Sequence, residues 1–417
     1  MSGKSGMRNS GGGIAARGGA AARSAAGTTQ RVKFGDVVRE VKDKIDRADN
    51  PYEFYVAGDH MDTEDLKIRR RGRFATDDVG PAFTRVFKPG QILYGSRRTY
   101  LKKVCVADFE GITANTTFVL ETKDDNVLLQ RLLPFLMLGD RFTAWSIKHS
   151  KGSTNPYVLF GDLADYEFDL PPMDEQKKLA ELLWAANDLK ESYKKAITAT
   201  DGMLKAKFRE MFGGAGDASR GAAESRSSQS KWPMARFDDV APSRLGKMLD
   251  ARKQTGKWLR PYLANVNVQW FHFDLSDLRE MDFNEEDQRE FALQDGDLLV
   301  CEGGEVGRCA IWHCELKECY FQKAIHRVRC DKKKLIPEYV AFWFLTQSQK
   351  GNFAKEGKGT TIAHLPGEKL KELRIPLPPL SLQREFVAIA DKAESAKANL
   401  KKSIAAIDQV MKGLIYG

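Results

Sequence analysis

Two segments of this chain carry its strongest pattern of apolar and polar positions. In the first, apolar or small residues fall at Leu179, Leu182, Ala186, Leu189, Tyr193, Ala196, Thr200 and Met203. In the second they fall at Phe386, Ile389, Ala393, Ala396, Leu400, Ser403, Ile407, Val410 and Leu414. Steps of three and four alternate, which is the seam of a coiled coil. Adding 207 to the first series reproduces the second through Val410. Each segment reads as a helix of about 35 to 40 residues, roughly 55 Å long at 1.5 Å per residue. Ala, Thr or Ser stands at several positions of each seam, so neither helix is expected to be stable alone. Because the seams match in register and length, the two helices are expected to pack on each other rather than each folding back on its own globule.

The same offset of 207 runs through the motifs before each helix. LPPMDEQ (residues 170–176) recurs as LPPLSLQ (377–383), and KGST (151–154) recurs as KGTT (358–361). The prolines end a strand, and Asp174 and Ser381 stand where an N-cap belongs. VKFGDV (32–37) matches ARFDDV (235–240), and the Gly-led run GQILYG from Gly90 matches GDLLVC from Gly296. The middles of the two halves do not match. Strand-like runs lie at residues 91–96, 115–121, 296–302 and 326–330, short and bounded by Gly or charge. Short helices are expected at 126–140 and 337–349. Each half is thus an α/β globule followed by one long helix, a mixed α+β chain with an internal repeat. The boundaries are a globule at 31–172, a helix at 173–213, a flexible linker at 214–231, a second globule at 232–379 and a second helix at 380–417. Residues 1–30 are rich in Gly, Ala and Ser and contain no acid, and read as a disordered basic tail.

Composition changes this picture little. The chain has 417 residues, 42% hydrophobic and 29% charged, which suits a soluble globular protein of two or three domains. No apolar run approaches the roughly 20 residues that span a bilayer, and the first residues lack the apolar core of a secretory signal. Their acid-free start loosely resembles a transit peptide, but the glycines argue against the amphipathic helix one needs. Five of the six cysteines fall between Cys301 and Cys330. Their spacing fits no zinc template, so they read as reduced core residues. No phosphate-binding loop is present. CEGGEVGR (301–308) lacks dinucleotide spacing and reads as a tight turn, NPY (155–157) lacks the second proline of a methyltransferase loop, and no Ser/His/Asp constellation can be picked out.

Charge is more informative. Net charge is +9, and between Glu64 and Lys103 eleven Lys and Arg face four acids. Cations of this kind neutralise phosphates, and Arg can grip guanine with two parallel hydrogen bonds. The candidates for DNA contact here are Arg69, Arg70, Arg71, Arg73, Arg97, Arg98, Thr99, Tyr100 and Lys102. The KGSTN loop adds Lys151, Ser153, Thr154 and Asn155, which join a cation, a permissive glycine and hydroxyls. In the second half the candidates are Lys247, Arg252, Lys253, Lys257, Arg308 and Lys323, with Lys358, Thr360 and Thr361 of the KGTT loop. A solvated basic face is the alternative reading of any such cluster.

The whole layout resembles the specificity (S) subunits of type I restriction–modification systems. The resemblance rests on the two half-chain repeats with diverged middles, on GDLLVCEGGEVGRCAIW from Gly296, on KGST and KGTT, and on FDLPPMDEQKKLAELL and RIPLPPLSLQREFVAIA leading into long helices. It covers about residues 31–417. It implies two target-recognition domains separated by two long antiparallel helices forming a coiled coil, with a pseudo-twofold repeat. Each domain would read one half of a bipartite, asymmetric target in double-stranded DNA, with the helices fixing the spacing. It also implies a non-catalytic, cytoplasmic, prokaryotic subunit that binds two methyltransferase (M) subunits and motor-nuclease (R) subunits. No cofactor is expected on this chain; S-adenosylmethionine belongs to M, and ATP with Mg to R. The alternatives are a specificity subunit of another phage-defence or orphan adenine-methylation complex, a coiled-coil adaptor with two protein-binding domains, and an enzyme using the cysteine cluster with metal.

Overall fold

In the computed structural model of the protein, residues 29–213, 231–250, 252, 254–353 and 364–416 are described. The expected tail and linker fall almost wholly outside them. The chain divides into two compact units, Met1–Lys190 with Ala405–Gly417, and Glu191–Ile404.

Both units follow one plan. In the first, Gln30–Lys33 pairs antiparallel with Glu167–Leu170, tying the start of the globule to the strand before the Pro-Pro pair. In the second, Met234–Arg236 pairs with Arg374–Pro376 in the same sense. A four-stranded antiparallel sheet follows in each. Its order is Val38–Val41, Thr117–Thr122, Ile92–Gly95, Val104–Val106 in the first unit. It is Ser243–Leu245, Ile325–Val328, Leu298–Cys301, Cys309–Ile311 in the second. A further sheet in each unit contains one parallel pairing, Phe54–Val56 with Gly111–Ala114 and Leu259–Leu263 with Tyr320–Phe321. The four-stranded sheet and this parallel pairing therefore repeat although the sequences do not match, while the further sheet has four strands in the first unit and three in the second. Strand order depends on which positions are apolar, and that pattern survives replacement of the residues themselves.

The Gly-led runs are unbroken in hydrophobicity because their strands are covered on both faces. Leu298 and Val300 point to a core containing Tyr339, Phe344 and Leu370. Leu299 and Cys301, on the opposite face, meet Tyr320, Phe321 and Trp312. In the first unit Ile92 and Tyr94 face Leu133 and Phe142, while Leu93 faces Val119 and Cys105.

The helix expected at 337–349 is found as Pro337–Gln349, opened by its own proline. The one expected at 126–140 is shorter. Helix spans only Leu133–Leu138, and a separate helix, Asp140–Lys148, follows. The reason lies in Gln176, which is 1% exposed. Its Oε1 accepts the Leu129 N–H at 2.9 Å, and its Nε2 donates to the carbonyls of Val127 at 2.8 Å and Pro171 at 2.9 Å. Residues 127–129 thus spend backbone groups on a side chain rather than on helical bonds. Gln383 repeats the clamp, accepting from the Ile336 N–H and donating to the carbonyls of Lys334 and Pro378, each at 2.9 Å. The spacing of Leu-Pro-Pro-x-x-x-Gln is that of a clamp which bolts the loop 127–129, or 334–336, to the head of a long helix.

The long helices are Met173–Phe212 and Leu380–Tyr416. Asp174 and Ser381 do not cap them. The Pro172 carbonyl accepts from Glu175 and Gln176, and the Pro379 carbonyl from Leu382 and Gln383, so the prolines occupy the cap and the polar residues lie within the first turn. Within the first unit the head of the first helix packs on the tail of the second: Leu179, Leu183 and Ala186 share a core with Ile407, Met411 and Leu414. Within the second unit the tail of the first meets the head of the second, where Leu204, Phe208, Met211 and Phe212 pack with Phe386, Ala390 and Ala393. The pairing is antiparallel in both.

The seam itself needs correction. Leu182, Leu189, Met203 and Val410 are 55%, 44%, 49% and 61% exposed. For these alternate positions the inward or half-inward residue lies one later, at Leu183, Lys190, Ile197 and Leu204, and at Ala390, Lys397, Ile404 and Met411, while Leu179, Ala186, Tyr193, Phe386, Ala393 and Ile407 keep their expected places. The offset of 207 survives the shift. The apolar pattern placed one edge of the seam correctly, at Leu179, Ala186, Phe386, Ala393, Ile407 and Leu414, and missed the other by one residue, because a lysine stands on that edge in each helix.

Candidate nucleic-acid interface

In the first unit two loops far apart in sequence meet. Lys151 and Tyr157 exchange backbone hydrogen bonds at 2.7 and 2.9 Å, which closes the KGSTNPY loop, and Gly152 takes the left-handed backbone (φ +87°) that permits its turn. The Arg98 N–H donates to the Pro156 carbonyl at 2.7 Å, and Arg97 bridges Tyr157. Arg97, Arg98 and Tyr100 are exposed here, as are Ser153 and Thr154, with Asn155 half-buried. This is the one place among the described residues where both first-half candidate segments converge. Two guanidiniums, an exposed ring and hydroxyls on adjoining loops can neutralise phosphate, stack and donate hydrogen bonds. Thr99 and Lys102 stand beside them in other roles. Thr99 is buried, its hydroxyl 3.4 Å from that of Ser150. Lys102 pairs with Asp140 at 2.6 Å and Glu64 at 3.1 Å. Burial lowers the ammonium's pKa, but the two carboxylates outweigh it and raise it. Lys151 holds Asp162 at 3.0 Å.

Arg69, Arg70, Arg71 and Arg73 lie on and before the strand Gly72–Arg73, which belongs to a different sheet from the strand Ile92–Gly95 that leads into Arg97 and Arg98. Arg69 binds Asp65 through two nitrogens, at 3.0 and 3.2 Å. Arg70 pairs with Asp62, and Arg73 with Glu53 at 2.6 Å. Arg71 lies 3.7 Å over the Phe54 ring. Arg85, in the same charge run, is buried against Glu40. The local excess of positive charge is therefore much reduced in the fold. Asp62, Glu53, Glu40 and Asp140 all lie outside the sequence window that defined it.

In the second unit Lys247, Lys257 and Lys323 line one groove of about 1180 Å³, together with Arg244 and Trp258. Lys247 pairs with Asp287 and lies 5.1 Å over the Phe283 ring, and Arg244 pairs with Glu290. Lys257 lies 5.3 Å over the Trp258 ring and is exposed, as is Lys323. The loop carrying Lys257 is pinned by Asp282, whose carboxylate accepts the N–H groups of Trp258 and Gly256, at 2.8 and 2.9 Å, and of Thr255. Burial alone would raise that carboxyl; these bonds overcome it and hold its pKa at about 2. Arg252 is exposed. Arg308 is mostly buried elsewhere, donating to the Asn265 carbonyl at 3.0 Å and to its Oδ1 at 2.9 Å. Lys253, Lys358, Thr360 and Thr361 lie outside the described residues.

Four of the six cysteines are shut into the core, and Cys314 is exposed. Cys105, Cys301, Cys309 and Cys319 are buried, and burial pushes their thiols up, Cys301 to about 11 and Cys105 and Cys319 to about 12. Among the described residues no group of three or more His, Cys, Asp and Glu could hold a metal ion, and no helix is long and apolar enough to cross a membrane.

The model of the type I restriction modification DNA specificity domain matches this chain twice, over residues 33–199 and 229–409. The specificity subunit of the type I restriction enzyme EcoKI from Escherichia coli (strain K12) is 23% identical over 410 residues, covering 91% of this chain and 85% of that protein. The EcoDI specificity subunit from Escherichia coli is 24% identical over 186 residues, 44% of this chain and only 40% of that protein. Among solved structures, a chain from a study of complex assembly and conformational transition of the type I R-M system superimposes with a TM-score of 0.57. It shares 17% identity, and the match covers 93% of this chain and 96% of that one, a likeness of fold.

Proposed function

This chain belongs to the type I restriction modification DNA specificity family, and on that premise we propose that it is the DNA-reading subunit of a methylation or restriction complex. Each unit reads one half of a split, asymmetric target in double-stranded DNA. The two long helices set the distance between the halves and dock two methyltransferase subunits, with motor-nuclease subunits joining them. S-adenosylmethionine and ATP with Mg belong to those partners, and this chain supplies no catalytic group.

The observation that carries this reading is the repetition of one frame with two different charged faces. The sheets, the Gln clamps and the helix pairing repeat. The charged surfaces among the described residues do not: the first unit carries Arg97 and Arg98 beside the KGSTN loop, and the second carries a mixed acidic and basic groove with Trp258. A symmetric frame bearing unlike surfaces fits a target whose halves differ in sequence.

Long-read mapping of methylated adenine in the host, with and without this gene, tests the proposal. One bipartite motif should vanish with the gene. An unchanged methylation map would refute it.

A further inference from the structure

The two long helices meet through a duplicated ion pair. In the first unit the Lys190 ammonium donates to Asp408 Oδ1 at 2.7 Å. In the second the Lys397 ammonium donates to Asp201 Oδ1 at 2.5 Å. Lysine 190 plus 207 is 397, and aspartate 201 plus 207 is 408, so each pair is the repeat image of the other. The position numbers of either pair add to the same total, 598, which is the signature of one antiparallel register. The lysine side chains are only 10% and 12% exposed, while their aspartates remain nearly half exposed. For Lys397, burial lowers the pKa, yet Asp201 and Glu394 outweigh it and raise it. Each lysine is therefore a largely buried charge in the seam, and in the first helix the buried Asn187 and Glu191 stand beside it.

We propose that Lys190–Asp408 and Lys397–Asp201 are positioning pairs that hold the long helices in a single register and so fix the spacer length between the two half-sites. This rests on the DNA-reading function proposed above. A seam of repeating three and four steps fits its partner again after a slip of seven residues, with small residues such as Ala186, Ala390 and Ala393 offering little objection. A seam charge objects strongly. After a slip each lysine loses its aspartate: in one direction Lys190 and Lys397 come opposite Ile415 and Phe208, in the other opposite Lys401 and Lys194, and either arrangement is far costlier than the intact pair is stabilising. The aromatic packing of Phe208, Phe212 and Phe386 anchors the ends in the second unit, but between 190 and 201 the first helix has only Tyr193, Ile197 and small or polar residues to resist sliding. A slip of seven residues is about 10 Å of helix, or about three base-pair steps of duplex DNA.

The test replaces both pairs by apolar residues in the full chain, Lys190→Met, Asp408→Leu, Lys397→Met and Asp201→Leu, expressed with its methyltransferase partner. Methylation should fall at least tenfold at the native spacing relative to sites with spacers up to about three base pairs longer or shorter. Reversing both pairs, with Lys190→Asp, Asp408→Lys, Lys397→Asp and Asp201→Lys, should restore the native spacing. A purely stabilising role predicts unchanged spacing in the apolar variant, and that result would overturn the proposal. Disulfide trapping in the purified chain reads register without DNA. Lys194→Cys with Ile404→Cys, whose numbers also add to 598, should cross-link in the native background. Lys194→Cys with Met411→Cys should gain at least tenfold only when the pairs are removed. Strict 598 trapping in the apolar variant sinks the register role even where methylation is lost. An unmodified host map with the native gene instead sinks the DNA-reading function and leaves register to the trap.

Discussion

At the scale of the residue, the two clamp glutamines do what the surrounding sequence cannot. Gln383 is fully buried and satisfies one N–H and two carbonyls that have no helical partner. Gln383→Leu keeps the volume but strands those groups. Each buried unpaired group costs about 1–3 kcal/mol, partly relieved by relaxation, so the variant should lose about 2–4 kcal/mol. Urea unfolding followed by tryptophan fluorescence checks this, and Gln176→Leu should behave alike because its partners match one for one. A loss below about 0.5 kcal/mol in either would show that the clamp is dispensable. The glutamines were visible in the sequence as part of a repeat. Their role was not, because their partners lie 47 and 49 residues away. The same distance effect governs the charged candidates. Arg73 reads as a phosphate ligand until Glu53, twenty positions earlier, is seen beside it.

At the scale of the element, helix existence and length were legible and helix orientation only in part. Period and offset located both long helices, and the prolines fixed their starts. Which face turns inward was decided by pairing. Lys190 and Lys397 look like surface residues in a sequence, yet an aspartate on the opposing helix lets each occupy the seam. Two neighbours on the first helix separate the readings. Leu204 is 2% exposed and Met203 is 49% exposed. Leu204→Ala should cost about 2–5 kcal/mol through a cavity, whereas Met203→Ala should stay within about 0.5 kcal/mol. Thermal unfolding of the two variants distinguishes them, and the opposite ranking would restore the seam read from apolar spacing. The short helix before Gln176 was overextended for a related reason. Apolar periodicity cannot reveal that a distant side chain has claimed backbone groups of residues 127–129.

At the scale of the whole molecule, duplication is the organising fact, and it predicts modularity. If the first globule reads one half-site, replacing residues 31–170 with the matching segment of another family member should change that half-site and leave the other intact. Methylation mapping of the chimera checks this, and alteration of both halves would contradict two independent readers. The sequence by itself determined the repeat, the α+β class, the two long helices and the family, because these depend on spacing and apolar pattern, which are local along the chain and recur at a fixed offset. It also located the KGSTN and Arg97–Arg98 loops separately. Only the tertiary structure decided that those loops adjoin, that much of the basic run is neutralised, that the diverged middles share a four-stranded sheet and a parallel pairing, and that the seam turns on buried lysines. Each of these is a contact between residues tens to hundreds of positions apart. Burial and charge compensation are properties of such contacts, and no window along the chain contains both partners.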